Sequence, residues 1–253
     1  MTRSTTRPAG VERLAHQLLE GVNDASLSDE LGTWLTDSPR FRSFADAHRD
    51  KIRKKLRTAG DEAARTDVRA ELEVARWLLD DRRIELAFEP RGSTGGGPDY
   101  ALTYRDHPAF DLEVTRPRHA LDRDGLAATL LVKLRQLPPG VANVILIVGH
   151  GITVTETDVG AAVRAIRARA DTKDEPYFAR RGFESTRQFY DRFLRLGAVL
   201  VWDSSGGSGQ PTVAWRNASA RIAVPERAVA AVVVCLEASS GWVSSRTAGP
   251  SGS

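Results

Sequence analysis

Apolar residues recur at helical spacing through VERLAHQLLEGV (11–22), DELGTWL (29–35) and RFRSFADAHRDKIRKKLR (40–57), with the turn signal TDSP before the last. This pattern predicts a helical stretch over 11–60. TDVRAELEVARWLLDD (66–81) continues the 3.6-residue period. The pattern then changes. IELAFEP, DYALTY and AFDLEVT are short strand-like runs, separated by the loop RGSTGGG and the turn RDHPA. Helix DGLAATLLVKLRQL, strand NVILIVG, helix TETDVGAAVRAIRARA, helix FESTRQFYDRFLRLG and strand AVLVWD follow. Thr155 with Asp158 forms a capping-box signal at the second of these helices. The turn GGSGQ leads into strand TVAWRN, and PERAVAAVVVCLEA reads as helix because Pro225 suits a first turn. Helices alternating with strands around one sheet make the class α/β. The expected organisation is a helical extension over 11–60 and a core domain over 61–238. Disordered ends rich in Ser, Thr, Gly and Pro are expected over 1–10 and 239–253.

Composition narrows this only a little. The 253 residues carry a formal charge of +3 with abundant arginine, which permits a polyanionic partner without demanding one. Cys235 is the single cysteine, so neither an intrachain disulfide nor a Cys-based zinc site is available. The longest apolar runs, VANVILIV and AVAAVVVCL, fall well short of the ~20 residues a membrane-spanning helix needs. Since the N-terminus has no apolar signal core, a cytoplasmic protein without a membrane partner is expected. STGGG lacks the Lys-Ser or Lys-Thr that completes a phosphate-binding loop, which excludes an NTPase of that type. The five histidines show no HExxH spacing.

The candidate chemistry lies in GGGPDYALTYRDHPAFDLEVTRPR (95–118). Along AFDLEVT, Asp111, Glu113 and Thr115 share one face of the strand, while Phe110, Leu112 and Val114 take the other. A hairpin with YALTY brings Asp99 towards the polar row, and Glu71 on the preceding helix is a third acid. Carboxylates crowded together repel unless a cation joins them, and a hard divalent ion such as Mg²⁺ takes carboxylate oxygens. Alternating acidic and apolar residues are equally what a half-exposed strand displays.

The ordered set AELEVARWLLDD, GGPDYAL, FDLEVTR and LLVKLRQLPPGVANVILIV resembles the PD-(D/E)XK nuclease superfamily over roughly residues 66–148. The resemblance implies a restriction-endonuclease-like mixed sheet flanked by helices and a Mg²⁺- or Mn²⁺-dependent endonuclease acting on DNA. Asp99 matches the motif aspartate and Glu113 the second acid. Both are implied metal ligands, joined by the backbone carbonyl of Val114. Glu71 matches a helix glutamate that completes the metal shell in some members, with Glu73 as runner-up. Asp111 is a spare ligand or a surface residue.

The motif lysine should stand at Thr115. Losing one such electrostatic donor costs about 3–4 kcal/mol, or ~10²–10³ in rate. A threonine hydroxyl holds a water but supplies no charge. Arg116 points to the apolar face unless the strand ends at Pro117, and Arg118 lies in the following turn. Lys133 is the better substitute. Leu126, Leu130, Leu134 and Leu137 form the apolar arc of its helix, and Lys133 lies at the edge of that arc, where its amine can reach the sheet. Lysines on this helix, and a residue resembling Gln136, also occur in the superfamily. A boundary lysine that only snorkels to solvent has the same pattern.

The basic run RDKIRKKLR offers Lys51, Arg53, Lys54 and Lys55 as phosphate contacts, or simply as a solvated helix face. Three readings remain: a DNA-cleaving enzyme, with a homodimer suited to cutting two strands; a weak or inactive nuclease-fold protein that binds nucleic acid or a protein partner; and an α/β domain of unrelated function.

Overall fold

The computed structural model describes residues 7–90, 97–205 and 211–247, the last nine of these by backbone alone. The loop RGSTGGG up to residue 96, the GGSGQ turn and the extreme ends, 1–6 and 248–253, lie outside the described residues. The chain divides into two compact units, Met1–Arg82 and Arg83–Ser253.

The first unit is helical: α1 (Ala9–Leu18), α2 (Ala25–Asp37), α3 (Pro39–Ala47), α4 (Arg49–Thr58) and α5 (Glu62–Leu78). Local capping chemistry starts three of them. Asp24 accepts from the Leu27 N–H at 2.9 Å, Ser38 from the Phe41 N–H at 3.3 Å, and Asp61 from the Ala64 N–H at 2.7 Å. Leu18, Leu27, Leu31, Leu35, Phe41 and Ile52 are fully buried. The single helix expected over 40–57 is in fact two, broken at His48 (φ −108°, ψ 16°). Phe41, Phe44, Ala45, Ile52 and Leu56 are buried on both sides of the break. They keep one helical phase across it, which is why the pattern conceals it. The helix α5 belongs to this unit, so the units part after residue 82 and not at 60.

The second unit is built on one six-stranded sheet in the order β1-β2-β3-β4-β5-β6. The strands are β1 (Ile84–Phe88), β2 (Tyr100–Tyr104), β3 (Phe110–Thr115), β4 (Ala142–Gly149), β5 (Leu196–Asp203) and β6 (Val213–Arg216). β1, β2 and β3 form an antiparallel meander, β3, β4 and β5 run parallel, and β6 is antiparallel to β5. The crossover from β3 to β4 carries α6 (Arg123–Leu134). That from β4 to β5 carries α7 (Glu156–Asp171), the short α8 (Glu175–Ala179) and α9 (Thr186–Phe193).

Helices α6, α7 and α9 cover one face, packing Leu126, Leu130, Val159, Ile166, Phe189 and Phe193 with Ile145, Ile147, Val199 and Val201 of the sheet. The last helix, α10 (Glu226–Thr247), buries Ala228, Val229, Val232 and Leu236. β4 and β5 are therefore buried at every position, as parallel strands with crossover helices require. Among the described residues no helix is long and apolar enough to cross a membrane.

The Thr155 capping box forms as expected. One element goes unanticipated and two local expectations fail. The turn of α8 goes unanticipated, since five residues are too few for a period. The N-terminal helix already begins at Ala9. The tail expected to be disordered from 239 continues as α10 to Thr247, because its Ser, Gly and Thr residues follow an apolar helix that carries them on.

Candidate functional site

The central correction concerns β3. It is buried on both faces from Phe110 to Val114, so it is not a half-exposed strand whose acids point to water. Asp111 retains 3%, Glu113 6% and Asp99 8% of their exposure. The parallel register pairs Asp111 with Asn143, Glu113 with Ile145 and Thr115 with Ile147. The polar row thus shares a face with the core that α6 and α7 cover. Burying a carboxylate is costly unless it is paired and hydrogen-bonded, so each of these acids needs a partner.

The partners of two are clear. Tyr100 pairs with Leu112 across the β2–β3 ladder, and one step further sets Asp99 opposite Glu113. Asp99 Oδ2 accepts from the Val114 N–H at 2.9 Å, while its backbone carbonyl accepts from the Glu89 N–H at 2.8 Å. Glu113 Oε1 lies 2.6 Å from Lys133 Nζ, with the two side chains 8% and 18% exposed. The leucine arc of α6 faces the core, leaving Lys133 at its edge, from which the amine extends to the strand. Thr115 is half-buried at the end of β3, and Arg116 follows it. Asp99, Glu113, Thr115 and Lys133 therefore gather at the end of the sheet where β3 terminates.

Glu71 is buried in the helical unit, where Lys55 Nζ lies 2.5 Å from its carboxylate. A residue expected to ligate metal and one expected to touch DNA phosphates thus form an ion pair with each other. They stand on α5 and α4, and no sequence spacing reports a contact between helices. Arg53 is likewise held at 2.9 Å by Glu20 and by Asp50, whereas Lys51 and Lys54 are exposed. Gln136 is exposed in the turn after α6, which ends at Leu134, three residues short of the expected helix. Arg118 is exposed in the loop after β3, and Asp111 stays buried further back along the strand. Glu73, the runner-up acid, has its carboxyl pushed up to about 7 by burial and by the nearby Glu30 carboxylate, against the opposing pull of Arg69.

The donor set bears on which group the site could hold. Two hard carboxylates from adjacent strands suit Mg²⁺ or Mn²⁺. Among the described residues, however, no group of three or more His, Cys, Asp or Glu side chains is disposed to hold an ion. Lys133 already supplies a positive charge to Glu113. Asp99, Glu113 and backbone oxygen form a minimal set.

A cleft of about 570 Å³ opens at the carboxyl ends of β3 and β4, lined by Arg116 and His119 from one loop and His150 from the other. The buried Asp203 at the end of β5 accepts from the Gly151 N–H at 2.9 Å and the Ser205 N–H at 3.0 Å. Sequence reading passed over His150 and Asp203. Their signal is positional, for both stand where parallel strands end, the usual place for a ligand crevice in open α/β sheets. No protein-family model, curated protein or solved structure matches the chain. Its chemistry is argued from this geometry.

Proposed function

We propose that this protein is a metal-dependent nuclease with a restriction-endonuclease-like core, hydrolysing phosphodiester bonds of DNA at Asp99, Glu113 and Lys133. The observation that carries the reading is the 2.6 Å pair between Lys133 and Glu113, on the strand whose Val114 N–H is held by Asp99. A lysine arriving from α6 restores to the second acid the positive charge that Thr115 fails to provide. Asp99 and Glu113, with the Val114 carbonyl, would hold Mg²⁺ or Mn²⁺, which when bound activates water and stabilises phosphoryl charge.

The chain's own residues supply the rest. The Asp99–Val114 hydrogen bond fixes the start of β2 against the end of β3, so the acids are oriented before any ligand arrives. Lys133 offsets the charge of Glu113 in the buried strand and presents an ammonium where anionic charge develops on a phosphate. The Thr115 hydroxyl is an uncharged donor and acceptor for a water. A homodimer would suit cleavage of both strands.

The test is incubation of purified protein with single- and double-stranded DNA and RNA, with Mg²⁺ or Mn²⁺. Cleavage abolished by Asp99→Ala and by Glu113→Ala is expected; cleavage that survives both substitutions refutes the assignment. Thr115, in the place of the motif lysine, favours a second reading: a weak or inactive nuclease-fold protein that binds nucleic acid or a protein partner. Calorimetry separates the two, since a site indifferent to both ions belongs to the second.

A further inference from the structure

The cleft beyond Thr115 has features of a built binding site. Its two loops leave adjacent parallel strands, and each is held from below. The Gly149–Gly151 loop is fastened by the buried Asp203 carboxylate, which accepts from the Gly151 N–H at 2.9 Å. Gly151 turns at φ +64°, a left-handed conformation that favours glycine. His150 is held as well, its Nδ1 lying 2.9 Å from Ser204 Oγ. The Ser204 hydroxyl reaches the Gly149 carbonyl at 3.2 Å. The Gly149 carbonyl already accepts from the Ser204 N–H at 2.8 Å, so Oγ–H is free to donate along the shorter contact to Nδ1, and the neutral ring then carries its proton on Nε2 as a donor for a ligand. The opposing loop contributes Arg116 and His119 to the lining. Asp122, a carboxylate in the lining, caps α6 by accepting from the Gly125 N–H at 2.8 Å.

We infer that this cleft binds a backbone phosphate of a nucleic-acid strand, next to the phosphate that lies at Asp99 and Glu113. The inference rests on the nucleic-acid reading of that neighbouring site. Arg116 directly follows β3, three residues past Glu113 and about 10 Å away by strand rise, so a single polynucleotide spans both. An arginine and two imidazoles facing an open, polar cleft are donors suited to a phosphodiester, which has acceptor oxygens and one negative charge. The contact is to backbone, so it positions the strand and carries no sequence information.

The experiment uses the full chain in EDTA with a labelled single-stranded oligonucleotide, and reads the dissociation constant by fluorescence anisotropy across a potassium chloride series. The proteins are wild type, His150→Ala, Arg116→Ala, the double variant, and, as a control, Arg187→Ala, an exposed residue of α9. Circular dichroism confirms that each is folded. The double variant is expected to bind more weakly, with the slope of log affinity against log salt reduced by about 0.7 for each phosphate the protein no longer neutralises. Arg187→Ala should keep the wild-type slope. A double variant with wild-type affinity and slope overturns the inference, as does failure of every form to bind. Metal-dependent cleavage is measured on the same samples. Cleavage that requires Asp99 and Glu113, alongside unchanged slopes, removes the cleft and spares the nuclease. A reduced slope without any cleavage upholds the cleft and removes the hydrolytic reading.

Discussion

Replacing Lys133 by Met removes the ammonium from Glu113 while keeping a long, mostly apolar side chain. Breaking a buried ion pair from one side costs about 3–5 kcal/mol when no water reaches the remaining charge. Here the lysine side chain keeps 18% exposure and the glutamate 8%. Partial solvent access moves the expected loss to about 2–3 kcal/mol. For a unit of this size that is a fall of about 4–12 °C in melting temperature. The assay is urea and thermal unfolding of wild type, Lys133→Met, Glu113→Gln and the double variant at neutral and acidic pH. A buried carboxylate deprived of its cation favours the protonated form, so the deficit of Lys133→Met should shrink as pH falls. Glu113→Gln placed on top of Lys133→Met should recover much of the lost stability. Additive single losses, with a coupling energy under ~0.5 kcal/mol, would refute the claim that this pair compensates a buried charge. Under the nuclease reading, Lys133→Met also lowers cleavage by ~10²–10³, measured at a temperature where the variant is folded.

Asp99→Ala leaves the buried Val114 N–H without its acceptor, at a cost of about 1–3 kcal/mol; amide exchange at Val114 should accelerate, and unchanged protection would show that the bond does not persist in solution. Lys55→Met, which removes the ammonium beside buried Glu71, should destabilise the helical unit by about 2–3 kcal/mol, whereas Lys51→Ala on its exposed turn should stay within ~0.5 kcal/mol. Glu73, pushed up to about 7 in the folded chain, binds its proton more tightly folded than unfolded. Stability therefore falls as pH rises from the ordinary carboxylate range through about 7, by on the order of 2–3 kcal/mol. Glu73→Gln should flatten that slope in urea melts run between roughly pH 5 and 8, and an unaltered slope would assign it to other groups.

Much of the site was visible as residue order. Asp99 behind Pro98, Glu113 on an alternating strand, Thr115 in the lysine position and Lys133 at the edge of a leucine arc are all local facts. What was not visible is burial. Alternation in AFDLEVT fits a strand with one wet face, and only the crossover helices show that β3 has none. The pairing of Glu71 with Lys55 is hidden for a related reason, since the two stand on different helices. Gln136 was lost because α6 stops at Leu134.

The sequence alone determined the elements and their class, because capping residues, turn residues and periods of 2 and 3.6 act within a few neighbouring residues. Asp24, Ser38, Asp61 and Thr155 each start a helix through a hydrogen bond three residues away. Tertiary structure alone decided which charges are paired. Lys133 meets Glu113 across twenty residues and Lys55 meets Glu71 across sixteen, and His150 meets Ser204 across fifty-four. Such contacts follow from how helices pack on a sheet or on each other, and only that packing sets how much water reaches a charge and hence what a carboxylate can do.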